Sequence, residues 1–213
     1  LVEMQRYADA IADANRLVTL EPQNASFWIM HGSIYHTSGR RPQALADFGQ
    51  AIALEPGNWR AWADRGWTYA QLGRHEEALA DLNRALEIDP SNAWVLGMRG
   101  ITYKESQRYD LALRDFDRAL AAEPDDGQLL AHRAVAKREM GLLNQAVSDF
   151  ERAIALRPGY VEAMVGLGVA LRRMGRYDEA LGQFDRALRL RPDHAEALYC
   201  RGTALKAMGR YED

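Results

Sequence analysis

Six prolines stand 34 residues apart along this chain: Pro22, Pro56, Pro90, Pro124, Pro158 and Pro192. Pro42 alone falls outside the column. A short fixed period restricts the fold more than any composition can, because one such unit cannot bury its apolar face alone and must stack on its neighbours. Within Trp59–Asn92, Trp62, Gly66 and Tyr69 are spaced by four and three residues, as are Ala78, Leu82 and Ala85. Each set draws a stripe along one side of a helix. The period therefore predicts an all-α chain with two helices per unit and Gly73 between them. Counted from the prolines, the complete units run 25–58, 59–92, 93–126, 127–160 and 161–194. A partial unit over 1–24 is mostly a second helix, with Tyr7, Ala10, Ala14 and Leu17 in packing columns; another over 195–213 is a first helix and the start of a second.

Punctuation supports this register. Asn24, Asn58, Asn92 and Asp126 precede the first helices, where a side-chain oxygen can accept from an unpaired backbone N–H. Gly39, Gly73, Gly141, Gly175 and Gly209 end them, glycine entering the left-handed region without steric cost. Gln107 interrupts that column and predicts a strained or differently shaped turn. Pro42 is expected at the first residue of a second helix, and Glu76, Asp110, Asp178 and Glu212 share its column, suited to the positive end of a helix dipole.

The residues Trp28, Gly32, Tyr35, Ala44, Phe48, Ala51 and Pro56 of the first complete unit, and Leu96, Gly100, Tyr103, Ala112, Phe116, Ala119 and Pro124 of the third, resemble the signature of the tetratricopeptide repeat. The unit 127–160 departs from it with Ala134 in the glycine column and Lys137 in the tyrosine column. The resemblance extends over the whole chain and implies a right-handed α-α superhelix, a solenoid of antiparallel helix pairs. Its small glycine column (Gly32, Gly66, Gly100, Gly168, Gly202) implies close helix approach, with Ala44, Ala78, Ala112, Ala146 and Ala180 as the natural counterparts. Where the family favours leucine, this chain has Arg65, Arg99, Arg133 and Arg201, with His31 in the first unit, and Asp47, Asp81, Asp115 and Asp149 recur sixteen residues after each column position. Leu167 is followed by Gln183 instead. The covariation reads as pairing between the two helices of a unit; separate solvated charges are the other reading.

The 213 residues carry a formal net charge of -3 with a pI near 6.0, which opposes general nucleic-acid binding, since that needs a basic surface to neutralise phosphates. Cys200 is the one cysteine, so no disulfide closes within the chain, consistent with a reducing compartment and a cytoplasmic location. No apolar run approaches the roughly 20 residues needed to cross a bilayer, and Glu3, Arg6, Asp9 and Asp13 break any leader-like pattern. The repeat register at both termini suggests a segment of a longer array whose uncapped ends offer self-association.

No catalytic constellation emerges. His31, His36, His75, His132 and His194 are scattered, no glycine loop is spaced to cradle phosphate, and Glu76–Glu77 reads as a helix start. The expectation is a chain with no catalytic residue, metal or cofactor.

The resemblance then implies an inner wall of first helices that takes up a protein or peptide ligand. Projected onto it are Ser26, Ile29, Ser33, His36, Arg60, Ala63, Trp67 and Gln71, then Trp94, Gly97, Ile101 and their equivalents in later units. Trp67, Trp94, Ile101, Val135, Val169 and Tyr199 form an apolar and aromatic track, either a contact surface or packing between repeats. Lys104, Arg138, Arg172 and Lys206 form a basic column, either reading acidic groups of a partner or complementing helix dipoles. The lysine and asparagine clamp by which some family members hold chaperone C-termini is missing, since Ile29, Ser33, Ala63, Trp67, Gly97 and Ile101 occupy its positions. The reading is a protein-interaction scaffold. The alternative is a docking or sensor region of a larger bacterial enzyme or signalling ATPase, to which the Arg99-Gly100, Thr102-Tyr103 and Asp115–Leu120 phrases look similar.

Overall fold

In the computed structural model, residues 2–210 are described, with side chains from residue 8 onward. The packing role of Tyr7 and the helix-start role of Glu212 lie outside the described residues. Every described element is a helix, and the chain groups into two compact units that part after Ser106.

The first unit holds α1 (Val2–Leu20), α2 (Ala25–Thr37), α3 (Arg41–Leu54), α4 (Trp59–Gln71), α5 (His75–Ile88) and α6 (Ala93–Glu105). The second holds α7 (Tyr109–Ala122), α8 (Gly127–Glu139), α9 (Leu143–Leu156), α10 (Val161–Arg173), α11 (Tyr177–Leu190) and α12 (Ala195–Ala207). First helices thus begin at Ala25, Trp59, Ala93, Gly127, Val161 and Ala195, the spacing of the prolines. Within each unit α2 packs on α3, α4 on α5, α8 on α9 and α10 on α11, and each second helix also contacts the first helix that follows it.

Local chemistry sets the helix ends. Asn24, Asn58 and Asn92 accept from the backbone N–H of Ser26, Arg60 and Val95, and Asp126 accepts from both Gln128 and Leu129. His194 does the same work for α12, its Nδ1 accepting from Ala197 N at 3.2 Å. A second lock was not legible beforehand: the indole N–H groups of Trp28 and Trp62 donate to the carbonyls of Pro22 and Pro56 at 2.9 and 3.0 Å, tying each new helix to the turn before it. At the other ends, Gly39 has φ +79°, with its N–H on His36 O and the Arg40 N–H on Tyr35 O. Those two bonds satisfy carbonyls that a helix terminus otherwise leaves bare. Gln107 holds the same left-handed conformation at φ 59°, the strained turn anticipated for it. Pro42 sits one residue further into α3 than expected, since the helix begins at Arg41; the missing N–H is harmless at either position.

The core is a repeated contact between helix pairs. Phe48, Leu82, Phe116, Phe150 and Phe184 are almost fully buried among alanines of the same helices. A Cβ on Gly32 would lie 2.7 Å from the Phe48 ring, and one on Gly168 would lie 2.4 Å from the Phe184 ring. The glycine column therefore makes room chiefly for the side chain sixteen residues later rather than for the alanines assigned to it. At Gly66 the Leu82 side chain, the Ala78 carbonyl and Asp81 Cβ share the space at 3.0–3.1 Å. In the hairpin where the column carries Ala134, the Phe150 ring lies over Gly166 of the next first helix instead, 2.5 Å from where a Cβ would be.

Arginine and aspartate pair across the helices of a hairpin. Arg65 grips Asp81 through two hydrogen bonds of 2.7 and 2.8 Å, and Arg133 grips Asp149 at 2.8 and 2.7 Å. Both aspartates are buried, so these are desolvated, two-pronged bonds rather than surface pairs. The arginine column also reaches backwards, to the second helix before its own: Arg99 to Asn83, Arg133 to Asp117 and Arg201 to Asp185. Lys137, the departure from tyrosine, adds a further bond to Asp149 at 2.8 Å. Where Leu167 replaces the arginine, Gln183 Oε1 is buried without a hydrogen-bond partner.

Candidate functional site

The first helices of each unit carry the residues singled out from sequence. In the first unit a cleft of about 400 Å³ opens between α2 and α4, lined by Ser26, Ile29, Met30, Ser33, Asn58 and Arg60. Serines at 26 and 33 leave the volume that larger side chains would fill. Trp59 lies between two of the lining residues in the chain, and its ring is 6.3 Å from that of Trp94 at a tilt of 60°. Trp94 is 40% exposed and Met30 is 38% exposed, so both present apolar surface to solvent. Trp67 is half-buried. Ile101 is buried.

The sequence reading placed Ser26, Ile29, Ser33 and Arg60 on this wall but did not select them, and it missed Met30 and Trp59. A signal existed in Ser26 and Ser33, seven residues apart on α2, opposite a tryptophan-rich α4.

Burial shifts several titratable groups of the first unit. Thr68 donates its hydroxyl hydrogen to Asp64 O at 2.7 Å, so its oxygen must accept from His36 Nδ1, which stands 2.8 Å away. That fixes the neutral His36 tautomer with hydrogen on Nδ1. Burial, and secondarily the charge of Arg41, lower the His36 pKa. Asp64 Oδ2 is buried with no hydrogen-bond partner, and Arg60 Nε is 3.6 Å from it. Burial raises this carboxyl to about 6, against the weaker opposing pull of Arg60. Burial also lowers the pKa of Lys104, with Glu105 opposing.

The second unit presents a different face. Val169 is buried and Val135 half-buried, while Tyr199 on α12 is 72% exposed. Arg138, Arg172 and Lys206 stand in the last turns of α8, α10 and α12. Arg138 bonds Glu139, and Arg173 bonds both Glu139 and the Arg138 carbonyl. Cys200 is buried, and burial followed by the charge of Glu196 raises its pKa against Arg172 and Arg138, so it stays a thiol. Among the described residues no group of three or more His, Cys, Asp or Glu side chains is arranged to hold a metal ion, and no helix is long and apolar enough to cross a membrane.

These repeated hairpins match known sequence models. Residues 29–93, 132–195 and 167–213 fit one model described as a tetratricopeptide repeat, and residues 69–137 fit a second of the same description. The chain belongs to the tetratricopeptide repeat family. A comparison with curated protein sequences finds no match. Among solved structures, this tetratricopeptide repeat chain is similar to YrrB, described as a TPR protein with an unusual peptide-binding site, at 22% identity and a TM-score of 0.73, covering 88% of this chain and 97% of that one. It is similar to a tetratricopeptide repeat protein from Parabacteroides merdae at 22% identity and a TM-score of 0.79, covering 98% and 83%. It is also similar to the APC/C hetero-tetramer Cut9-Hcn1 at 20% identity and a TM-score of 0.80, covering 95% of this chain but only 40% of that one. Likeness at this level concerns the fold, the family's all-α superhelix of helix hairpins.

Proposed function

We propose that this chain is a non-catalytic interaction module that binds a peptide or protein segment on the faces of its first helices, each 34-residue stretch from Ala25 onward acting as one hairpin of the array. The observation that carries the reading is the cleft between α2 and α4, in a unit that also exposes Trp94 and Met30. A pre-formed hollow beside large, stiff aromatic side chains is the arrangement that concentrates binding energy in few residues. Trp67 and Trp94 supply apolar contact in the first unit and Tyr199 in the second. Ile101, Val135 and Val169 form the supporting floor, and Lys104, Arg138, Arg172 and Lys206 tune the charge of the partner. YrrB, with its peptide-binding site, gives the reading a structural parallel.

The test is selection of binding peptides from a random library, followed by titration calorimetry with Trp94→Ala and Trp67→Ala. Each change should weaken binding by more than about 1 kcal/mol while circular dichroism shows unchanged helicity. Affinities indifferent to both changes would refute the assignment, and collapse of helicity would make the tryptophans structural.

A further inference from the structure

The peptide-binding reading above underlies this step, which specifies the partner of the second unit. Arg138, Arg172 and Lys206 place one cation in the last turn of each of α8, α10 and α12. The ends of α8 and α10 are held side by side, because Arg173 Nη1 donates to the Arg138 carbonyl at 3.1 Å and its Nη2 meets Glu139 Oε2 at 3.0 Å. Glu139 also accepts from Arg138 Nε at 2.9 Å. That one carboxylate is divided between two guanidinium groups, so the edge keeps an excess of positive charge.

Arg172 differs from its neighbours. Its Nε is buried and has no hydrogen-bond partner among the described residues, whereas Lys206 projects into solvent. Complementing the helix dipole explains why a cation stands there. It does not explain a buried donor left unsatisfied, which is costly until an acceptor arrives.

α10 contacts both α8 and α12, and packed helices lie roughly 8–10 Å apart, so the helix ends that carry the row follow one another at about that pitch. A polyproline II segment has three residues per turn and rises about 3.1 Å per residue, so every third side chain points the same way at intervals of about 9 Å. A β-strand instead repeats its facing side chains every second residue, at roughly 7 or 13 Å. An amphipathic helix would need a continuous apolar track to bury, and here the track is interrupted: Val165 and Val169 are only 2% and 8% exposed, leaving Tyr199, at 72%, apart.

We propose that the second unit binds an acidic, extended segment with a carboxylate at every third residue, received in turn by Arg138, Arg172 and Lys206.

The experiment uses the full chain and three labelled peptides of equal length: one with glutamate at every third position, one with the same glutamates contiguous, and one with glutamine in their place. Fluorescence anisotropy at low salt should show the spaced peptide binding at least about tenfold more tightly than the other two, with the difference shrinking at high salt. Arg172→Gln should abolish that preference. Lys206→Gln, at an exposed side chain whose loss cannot unfold the helix, should weaken it. Equal binding of all three peptides, or of the spaced and contiguous ones, overturns the proposal and leaves the broader peptide-binding reading standing. Failure of all three to bind also overturns it, and the tryptophan experiment then decides the broader reading separately.

Discussion

Asp81 and Asp47 occupy the same position in successive hairpins and are almost equally buried, at 5% and 8% exposure, yet their charges are met differently. Arg65 lies over Trp62 at 5.1 Å and delivers two hydrogen bonds to Asp81. His31 stands in the same place, between Trp28 and Tyr35, but its Nδ1 approaches Asp47 Oδ2 at 3.1 Å out of line for a hydrogen bond. Both imidazole nitrogens and Asp47 Oδ2 are left buried without hydrogen-bond partners. Burial raises Asp47 from 3.8 to about 6 and lowers His31 below its ordinary 6.5. For Asp47 the folded state holds more protons than the unfolded one between those values, so its contribution to stability falls as pH rises from 3.8 to 6, by up to about 3 kcal/mol. Lowering His31 acts oppositely, costing stability as pH drops through 6.5. His31→Arg would supply the permanent cation found at Arg65. Urea denaturation across pH 4 to 8 should show the variant gaining about 1–3 kcal/mol above pH 6, with the gain shrinking towards pH 4. Parallel pH curves for the two proteins would contradict this account.

At the level of elements, the recurring first helix depends on how it stops. Gly39, Gly73, Gly141, Gly175 and Gly209 all take φ between +73° and +79°, and Gln107 takes +59° at the same point of the period. A side chain with a Cβ there meets its own carbonyl, at a cost of roughly 1–2 kcal/mol. Gln107→Gly should relieve it, and the net gain should be about 1 kcal/mol once the greater freedom of glycine in the unfolded chain is subtracted. The change is read as a higher denaturation midpoint with an unchanged denaturant slope. An unaltered or lower midpoint would mean that Gln107 makes a compensating contact worth as much as the strain. This turn was visible in the sequence because a single column was broken. The indole bonds from Trp28 and Trp62 to the proline carbonyls were not, since a tryptophan at that position also satisfies the ordinary packing pattern.

Across the molecule, period and punctuation made the alternation of helices and turns legible, because caps and turn glycines depend on local backbone chemistry, although the second helices begin one residue before the Pro42 column. Pairing sixteen residues forward was legible too, through the joint loss of arginine and aspartate at Leu167 and Gln183. The backward reach of Arg133 to Asp117 was hidden, since it joins residues of different periods. Surface was least legible: a helical projection puts Ile101 and Val169 on the inner wall, but only the neighbours that cover them decide exposure. The same nearest-neighbour logic grades stability within each unit. A Cβ on Gly168 or Gly166 would strike the ring of Phe184 or Phe150, so α10 is held on both sides, by α11 and α9. In a stacked array, stability is close to a sum of such interfaces, and local opening follows the weaker ones.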